Sequence, residues 1–130
     1  MRMTMIALAA AMVVGGSAQA APSHRQFNQR ALAEARPAGE PKNCVQLTNI
    51  KETRVRNDSV IDFIMRDGKV YRNTLAHSCP NLGFEERFMY KTSLSQLCSV
   101  DTVTVLQSPG ASRGATCGLG KFQPIELPKR

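Results

Sequence analysis

The chain has 130 residues and a formal net charge of +7, a length that allows one small domain and excludes large catalytic folds. The basic excess is spread along the chain, because residues 44–127 hold ten Lys or Arg against eight Asp or Glu. Proteins that bind nucleic acid usually concentrate basic residues on one face, and only two Tyr and five Phe are available for stacking, so composition argues against such a partner.

Residues 1–20 are typical of a cleavable secretion signal. Arg2 supplies the positive start, residues 6–14 form an apolar run, and Ala18-Gln19-Ala20 has the small-x-small pattern that signal peptidase cleaves. A membrane span needs about 20 apolar residues, which disfavours the alternative of an uncleaved anchor. We therefore expect a mature chain in the periplasm or the medium, without a transmembrane segment.

Residues 21–43 contain three prolines, many alanines and few large apolar side chains. Such a segment can bury little surface, which predicts a flexible leader. Its middle, residues 26–35, has Phe27, Ala31 and Ala35 on one side and is compatible with a short helix that is marginal by itself.

From Cys44 onward apolar and polar residues alternate, which predicts short strands. The expected strand segments are 45–48, 53–56, 61–66, 69–74, 87–91, 101–106 and 117–125. The spacing of Ser93 and Gln96 is that of a capping box and predicts one helical turn, and residues 109–114 are expected to form a loop. Gly118 and Gly120 indicate a bulge or a close backbone approach in the last strand.

The strongest turn signal is Asp67-Gly68, which predicts a hairpin between the flanking strands. In the strand before the turn, Ile61, Phe63 and Met65 share one face, with Asp62 and Arg66 on the other. If the turn has two residues, Met65 faces Val70 and Ile64 faces Tyr71. Segments 45–48 and 53–56 belong to one extended run, and no long helix is indicated. We therefore expect five or six short strands. We therefore predict a mainly all-β domain over residues 44–127, a small antiparallel barrel or sandwich followed by a tail at residues 128–130.

Four cysteines lie in this domain: Cys44, Cys79, Cys98 and Cys117. An even number in a short exported chain predicts two disulfides, and all three pairings are open from sequence alone. We prefer Cys44–Cys117, which would tie the opening strand to the closing strand, with Cys79–Cys98 across the central connection. The nearest cysteines are 19 positions apart and no Cys-x-x-Cys occurs, so neither zinc nor another cofactor is expected.

Several short motifs resemble those of a known family. They are residues 69–75, residues 79–82, residues 97–101 with Val103 and Val105, and residues 117–122. Together they are similar to a family of small exported bacterial proteins catalogued only as a domain of unknown function. The resemblance spans about Cys44 to Leu127 and implies export and a shared β-rich fold, and it implies no activity, substrate or catalytic residue.

Candidate catalytic motifs are weak. Residues 110–114 match Gly-x-Ser-x-Gly, but no histidine follows Ser112 and the chain is too short for that hydrolase fold. His77 would need a free thiol at Cys79 to form a nucleophilic pair, and a disulfide removes that thiol. We therefore name no catalytic residue.

Arg72, Asn73 and His77 follow the hairpin closely and form our tentative ligand site for an anion or a peptide near Tyr71. The alternative is an ordinary solvated strand end.

Two functions from different classes follow from these observations. The favoured one is a non-enzymatic binding or interaction module of the cell envelope, whose partner is an envelope protein or an anionic glycan or lipid headgroup. The alternative is a small periplasmic hydrolase or a substrate-binding accessory to one, which would need a convergent set of acids or His77.

Overall fold

The computed structural model describes residues 10–13, 15–16, 21–92 and 94–128, so most of the expected secretion signal and its cleavage site lie outside the described residues. The helical elements are α1 (His24–Glu34), the 3-10 turn Leu47–Asn49 and α2 (Leu82–Glu85). The strands, in chain order, are β1 (Arg36–Pro37), β2 (Cys44–Gln46), β3 (Ile50–Val55), β4 (Val60–Met65), β5 (Val70–Thr74), β6 (Phe88–Tyr90), β7 (Gln96–Cys98), β8 (Thr102–Gln107), β9 (Ser112–Gly118) and β10 (Phe122–Glu126). None of the helices in this part of the chain has the length and hydropathy of a membrane span.

The described chain is mainly β, with 42% strand and 16% helix, and all its strand pairs are antiparallel. A five-stranded sheet has the order β1-β10-β5-β4-β3, a three-stranded sheet the order β6-β8-β9, and β2 pairs with β7. The predicted antiparallel, mainly β fold class is therefore confirmed. The described residues form ten strands where five or six were expected, and the expected last strand at residues 117–125 is divided between the end of β9 and β10. The five-stranded sheet ends on β1 and β3 within the described residues, so it is open, and the arrangement is compatible with a sandwich.

The core is built around the aromatic side chains of the five-stranded sheet. Phe63 and Phe122 are fully buried and meet edge to face with ring centroids 5.3 Å apart, and Phe88 from β6 contacts Phe63 at 6.4 Å. Ile61 and Met65 share the core face of β4 with Phe63, as their alternation predicts. Asp62, between them, points to the other face and is also fully buried.

The β4–β5 hairpin forms where Asp67-Gly68 predicted it, but its register differs by one residue. Ile64 faces Val70, and the turn has three residues closed by a hydrogen bond from the Met65 amide to the Lys69 carbonyl at 2.8 Å. Gly68 has φ +88°, a conformation that glycine adopts at the end of a three-residue hairpin loop. The condition for the Met65–Val70 pairing, a turn of two residues, is therefore not met, since the chain uses one more residue before it pairs.

The structure contains two disulfides with a pairing other than the preferred one. Cys44 bonds to Cys98, and Cys79 bonds to Cys117. Cys44 and Cys98 are opposite residues of β2 and β7, with Cα atoms 4.0 Å apart. The preferred Cys44–Cys117 and Cys79–Cys98 pairs were wrong because β2 pairs with β7 and not with the strand that carries Cys117.

Two local expectations also change, and a third is confirmed. The helical turn expected at residues 93–96 is replaced by strand β7 from Gln96, with Ser93 itself outside the described residues. The loop expected at residues 109–114 ends early, because β9 begins at Ser112. At Gly120 a close backbone approach is confirmed: a Cβ would lie 2.3 Å from the Thr74 carbonyl oxygen.

The segment at residues 21–43, which its composition predicts to be a flexible leader, contains helix α1 and strand β1. A capping box starts α1, in which the Ser23 side chain accepts from the Gln26 amide and the Gln26 side chain accepts from the Ser23 amide. After the helix, β1 pairs with β10, which leaves α1 over the outer face of the five-stranded sheet. This position is what creates the candidate site.

Candidate functional site

The structure separates the three residues of the tentative ligand site. Arg72 and Asn73 are neighbours in β5, so their side chains lie on opposite faces of the sheet. Asn73 is fully buried and bonds both backbone groups of Gly120, donating to its carbonyl at 2.7 Å and accepting from its amide at 2.8 Å. His77 is exposed in the loop after β5. Only Arg72 takes part in a larger polar arrangement.

That arrangement is a buried charge cluster of Arg56, Asp62 and Arg72. The Asp62 carboxylate accepts from Arg56 Nε at 2.9 Å, from Arg72 Nε at 2.8 Å and from Arg72 Nη2 at 2.9 Å. The side chain of Asp62 is fully buried, and those of Arg56 and Arg72 are 5% and 12% exposed. Hydrogen bonds between ionised partners are roughly twice as strong as those between neutral groups.

Strand register places the cluster. Asp62 on β4 lies opposite Arg72 on β5, and Arg56 follows directly after β3, where its backbone amide donates to the Val60 carbonyl at 2.8 Å. The cluster contains two guanidinium groups and one carboxylate, so it carries a formal charge of +1 in a site largely withdrawn from water. A charge at low dielectric acts more strongly than one in bulk water.

Helix α1 covers the cluster and is held by it. Asn28 Oδ1 accepts from Arg56 Nη1 at 3.0 Å, and the Ala31 carbonyl accepts from Arg72 Nη2 at 3.1 Å. Ala31 lies in the last turn of α1, where carbonyls lack helical partners and the helix dipole favours a cation. At the other end of the helix, His24 Nε2 lies 2.6 Å from Glu86 Oε1.

A cavity of about 350 Å³ opens beside α1, and we call it the α1 cavity. Its polar side is formed by three arginines, Arg30, Arg54 and Arg56, together with His24 and Asn28. Its apolar side is formed by Phe27 and Ala31 of α1 and by Leu127 and Pro128 after β10. None of the described residues that line it is acidic. Each of the three arginines is paired with a carboxylate outside the lining: Arg30 with Glu34, Arg54 with Glu52 and Arg56 with Asp62.

Arg56 connects the charge cluster to the cavity. Its Nε and Nη1 have partners, and within the described chain its third nitrogen, Nη2, has none. Every fully buried side-chain nitrogen or oxygen of the described residues has a partner, so Nη2 reaches solvent. Arg56 lines the α1 cavity and also a second cavity, which Asp58 and Glu86 line as well.

Arg54 provides a second donor at the rim. It pairs with Glu52 at 3.0 Å, and both side chains are well exposed, at 40% and 43%. Exposed ion pairs contribute about 0–1 kcal/mol, so an incoming anion can replace Glu52 at little cost.

The model of a family of unknown function, DUF6491, matches residues 1–127. The chain belongs to this family. No curated protein and no solved structure matches it. The DUF6491 assignment agrees with the resemblance drawn from the sequence motifs, and the function has to be argued from the site.

In this DUF6491 chain, Arg56 and Asp62 were missed by sequence reasoning. Asp62 was placed on the polar, outer face of β4, and with a two-residue turn its cross-strand partner would be Asn73. The observed three-residue turn moves that partner to Arg72, a residue of opposite charge. The sequence signal for this pair was a carboxylate and an arginine at facing positions of the hairpin. It was not found because the facing positions were assigned for a turn of two residues.

Two other motifs also have defined positions. Ser112 of the Gly-x-Ser-x-Gly segment begins strand β9, whereas a nucleophile elbow needs a turn from a strand into a helix. Among the residues that the structure describes, no three histidine, cysteine or acidic side chains are grouped as a metal site requires. The α1 cavity is accordingly the candidate site that the geometry supports best.

Proposed function

We propose that this protein is a non-enzymatic binding module of the cell envelope that holds an anionic ligand, or an anionic group of a partner, in the α1 cavity. The observation that carries the proposal is the lining of that cavity, which has three arginines and no acidic residue. One of them, Arg56, belongs to a buried cluster with a formal charge of +1.

Arginine suits holding an anion better than proton transfer. The guanidinium group stays protonated in proteins and presents a planar set of donors that matches carboxylate and phosphate geometry. His24 also lines the cavity, but it is 70% exposed and bonded to Glu86. The alternative, a small hydrolase or an accessory to one, would need several acid–base groups aimed at a common point. A binding role requires only the fixed donors described above.

Two features support a location outside the cytoplasm. Residues 1–20 have the pattern of a secretion signal, and both disulfides join residues far apart in sequence, with separations of 54 and 38. Disulfides of this structural kind persist in oxidising compartments and are rare in the cytosol. Fractionation of cells that express the full chain, with mass measurement of the N-terminus, tests the location directly.

Binding is tested by ¹H–¹⁵N correlation spectra of the oxidised protein during titration with three anions, namely inorganic phosphate, octanoate and a heparin-derived oligosaccharide. We expect saturable shifts for at least one probe at α1 and at residues 54–56, weakening as salt rises. Arg54→Glu should abolish them, whereas Arg113→Glu, the same charge change on exposed β9, should not. Absence of saturable shifts with all three probes, or equal loss in both variants, overturns the proposal.

A further inference from the structure

We infer that the occupant of the α1 cavity is a small amphipathic monoanion, of which a medium-chain carboxylate is the simplest example. This inference rests on the proposed function and narrows it to one class of ligand. Three properties of the cavity support it: its divided lining, its charge and its volume.

The lining is divided between an apolar side and a cationic side. Phe27 of α1 is 43% exposed although it is aromatic, and Leu127 and Pro128 approach from the segment after β10. Because these side chains line the cavity, an apolar body placed between them would remove their surface from water. A purely polar anion, such as inorganic phosphate, would leave this side unused.

The charge of the site matches a single negative charge. Asp62 neutralises one of its two arginine partners, so the cluster retains a formal charge of +1, and Arg56 of this cluster lines the cavity. Arg30, which also lines the cavity, is paired with Glu34. The rim residue Arg54 is balanced by Glu52. A monoanion therefore neutralises the excess, whereas a polyanion would bring further charges into a partly desolvated site without partners.

The volume of about 350 Å³ excludes a polymer as an enclosed occupant. Ligand cavities in proteins span about 300–1,000 Å³, so this one lies near the small end of the range. A glycan chain would have to lie mainly outside the cavity and would meet the apolar side with hydroxyl groups. A carboxylate with a short alkyl or aryl body fits all three properties.

The test compares matched ligands on the unaltered, oxidised protein by calorimetry and by the correlation spectra described above. Octanoate has the charge and the apolar body, acetate has the charge alone, and octanol has the body alone. We expect octanoate to bind at the α1 cavity, and acetate and octanol to bind at least about tenfold more weakly. Equal binding of octanoate and acetate, or of octanoate and octanol, overturns the inference.

Two variants separate the contributions. Leu127→Gln should weaken octanoate at least about fivefold and leave acetate unchanged, because it alters only the apolar side. Arg54→Gln should weaken both ligands. The matched controls are Leu94→Gln, an exposed leucine outside the cavity, and Arg113→Gln, neither of which should change binding. The comparison of ligands on the unaltered chain decides the question even if a variant does not fold.

The outcomes distinguish this inference from the proposed function. If phosphate or the heparin oligosaccharide binds at the cavity more tightly than octanoate, the binding module stands and the amphipathic ligand is refuted. If no anionic probe binds there, both fail. If the protein sediments with phosphatidylglycerol vesicles and free octanoate neither binds nor competes, the ligand is a membrane surface and the inference of a small free anion is overturned.

Discussion

Replacing Asp62 by asparagine removes the only carboxylate of the buried charge cluster while keeping nearly the same side-chain shape. In the native protein this carboxylate accepts three hydrogen bonds, one from Arg56 and two from Arg72. The asparagine side chain offers one acceptor oxygen and places an amide NH₂ against guanidinium donors. Two positive charges would then remain next to each other with no counter-charge in a site that water hardly reaches.

The expected loss of stability follows from that geometry. Breaking a buried ion pair by removing one partner costs about 3–5 kcal/mol, mainly because the remaining charge is uncompensated. Asp62 has no exposed surface, and its two partners are at most 12% exposed, so solvent screening reduces this value little. Domains of this size unfold with about 5–15 kcal/mol, so the variant should retain only part of its stability.

Arg72→Met is the informative comparison. It removes one of the two cations and leaves Asp62 paired with Arg56, a cluster with no net charge. Besides the ion pair, it removes the hydrogen bond to the Ala31 carbonyl, so we expect a smaller loss of about 1–3 kcal/mol. The difference in the expected loss of stability between Asp62→Asn and Arg72→Met follows directly from the +1 charge of the cluster.

Urea unfolding with both disulfides intact, followed by circular dichroism, measures the two free energies of unfolding. We expect lower midpoints with unchanged slopes, and a larger shift for Asp62→Asn than for Arg72→Met. A loss below about 1 kcal/mol for Asp62→Asn would show that the site is not desolvated as described. An equal or larger loss for Arg72→Met would refute the argument from excess charge.

Further predictions concern the packing of Gly120 against β5 and the two disulfides. Gly120→Ala should destabilise the protein by about 1–3 kcal/mol in the same assay, because its Cβ would overlap the carbonyl of Thr74. The control is Gly118→Ala, which should change stability by less than about 0.5 kcal/mol because a Cβ there meets nothing within 4 Å. Asn73→Leu should lower the free energy of unfolding by about 2 kcal/mol, because both backbone groups of Gly120 lose their partner, and a neutral result would show that water replaces the amide. Mass analysis of non-reduced peptides should recover the two bridges of the structure, and removal of either bridge by paired Cys→Ala substitutions should destabilise by about 4 kcal/mol, as loop closure over 54 or 38 residues implies. Recovery of the two alternative bridges would contradict the sheet pairing itself.

The α1 packing can be tested by hydrogen exchange. Amides of α1 should be protected, and Asn28→Ala should reduce their protection more than Gln29→Ala, because only Asn28 bonds to Arg56. Exchange as fast as in an unfolded peptide would show that residues 24–34 are the flexible leader that composition suggests.

The Asp67-Gly68 hairpin shows how far local sequence rules reach. Two strands of alternating pattern around a strong turn signal were enough to predict β4 and β5 and the core face of β4. The number of residues in the turn is not determined by the dipeptide, because glycine serves both two-residue and three-residue loops. A shift of one position exchanges every cross-strand partner, which is why the Asp62–Arg72 pair was not found.

The close approach of Gly120 was anticipated for a different reason. A glycine inside a strand pattern indicates a place where a side chain would not fit, whatever the partner is. The partner itself, the backbone of β5 with the Asn73 amide, is far away in sequence and was not predictable from the pattern.

By itself, the sequence determined the β-rich class, the hairpin, the presence of a disulfide framework and the family. Periodicity and turn residues can be read within short segments, and the presence of disulfides follows from the number of cysteines. Only the tertiary structure decided which cysteines meet, where residues 24–34 lie and which charges share a buried site. These features depend on strand order and register, which bring together residues from distant parts of the chain, such as Asn28, Arg56 and Arg72. The α1 cavity exists only because the sheet and the helix meet in that arrangement.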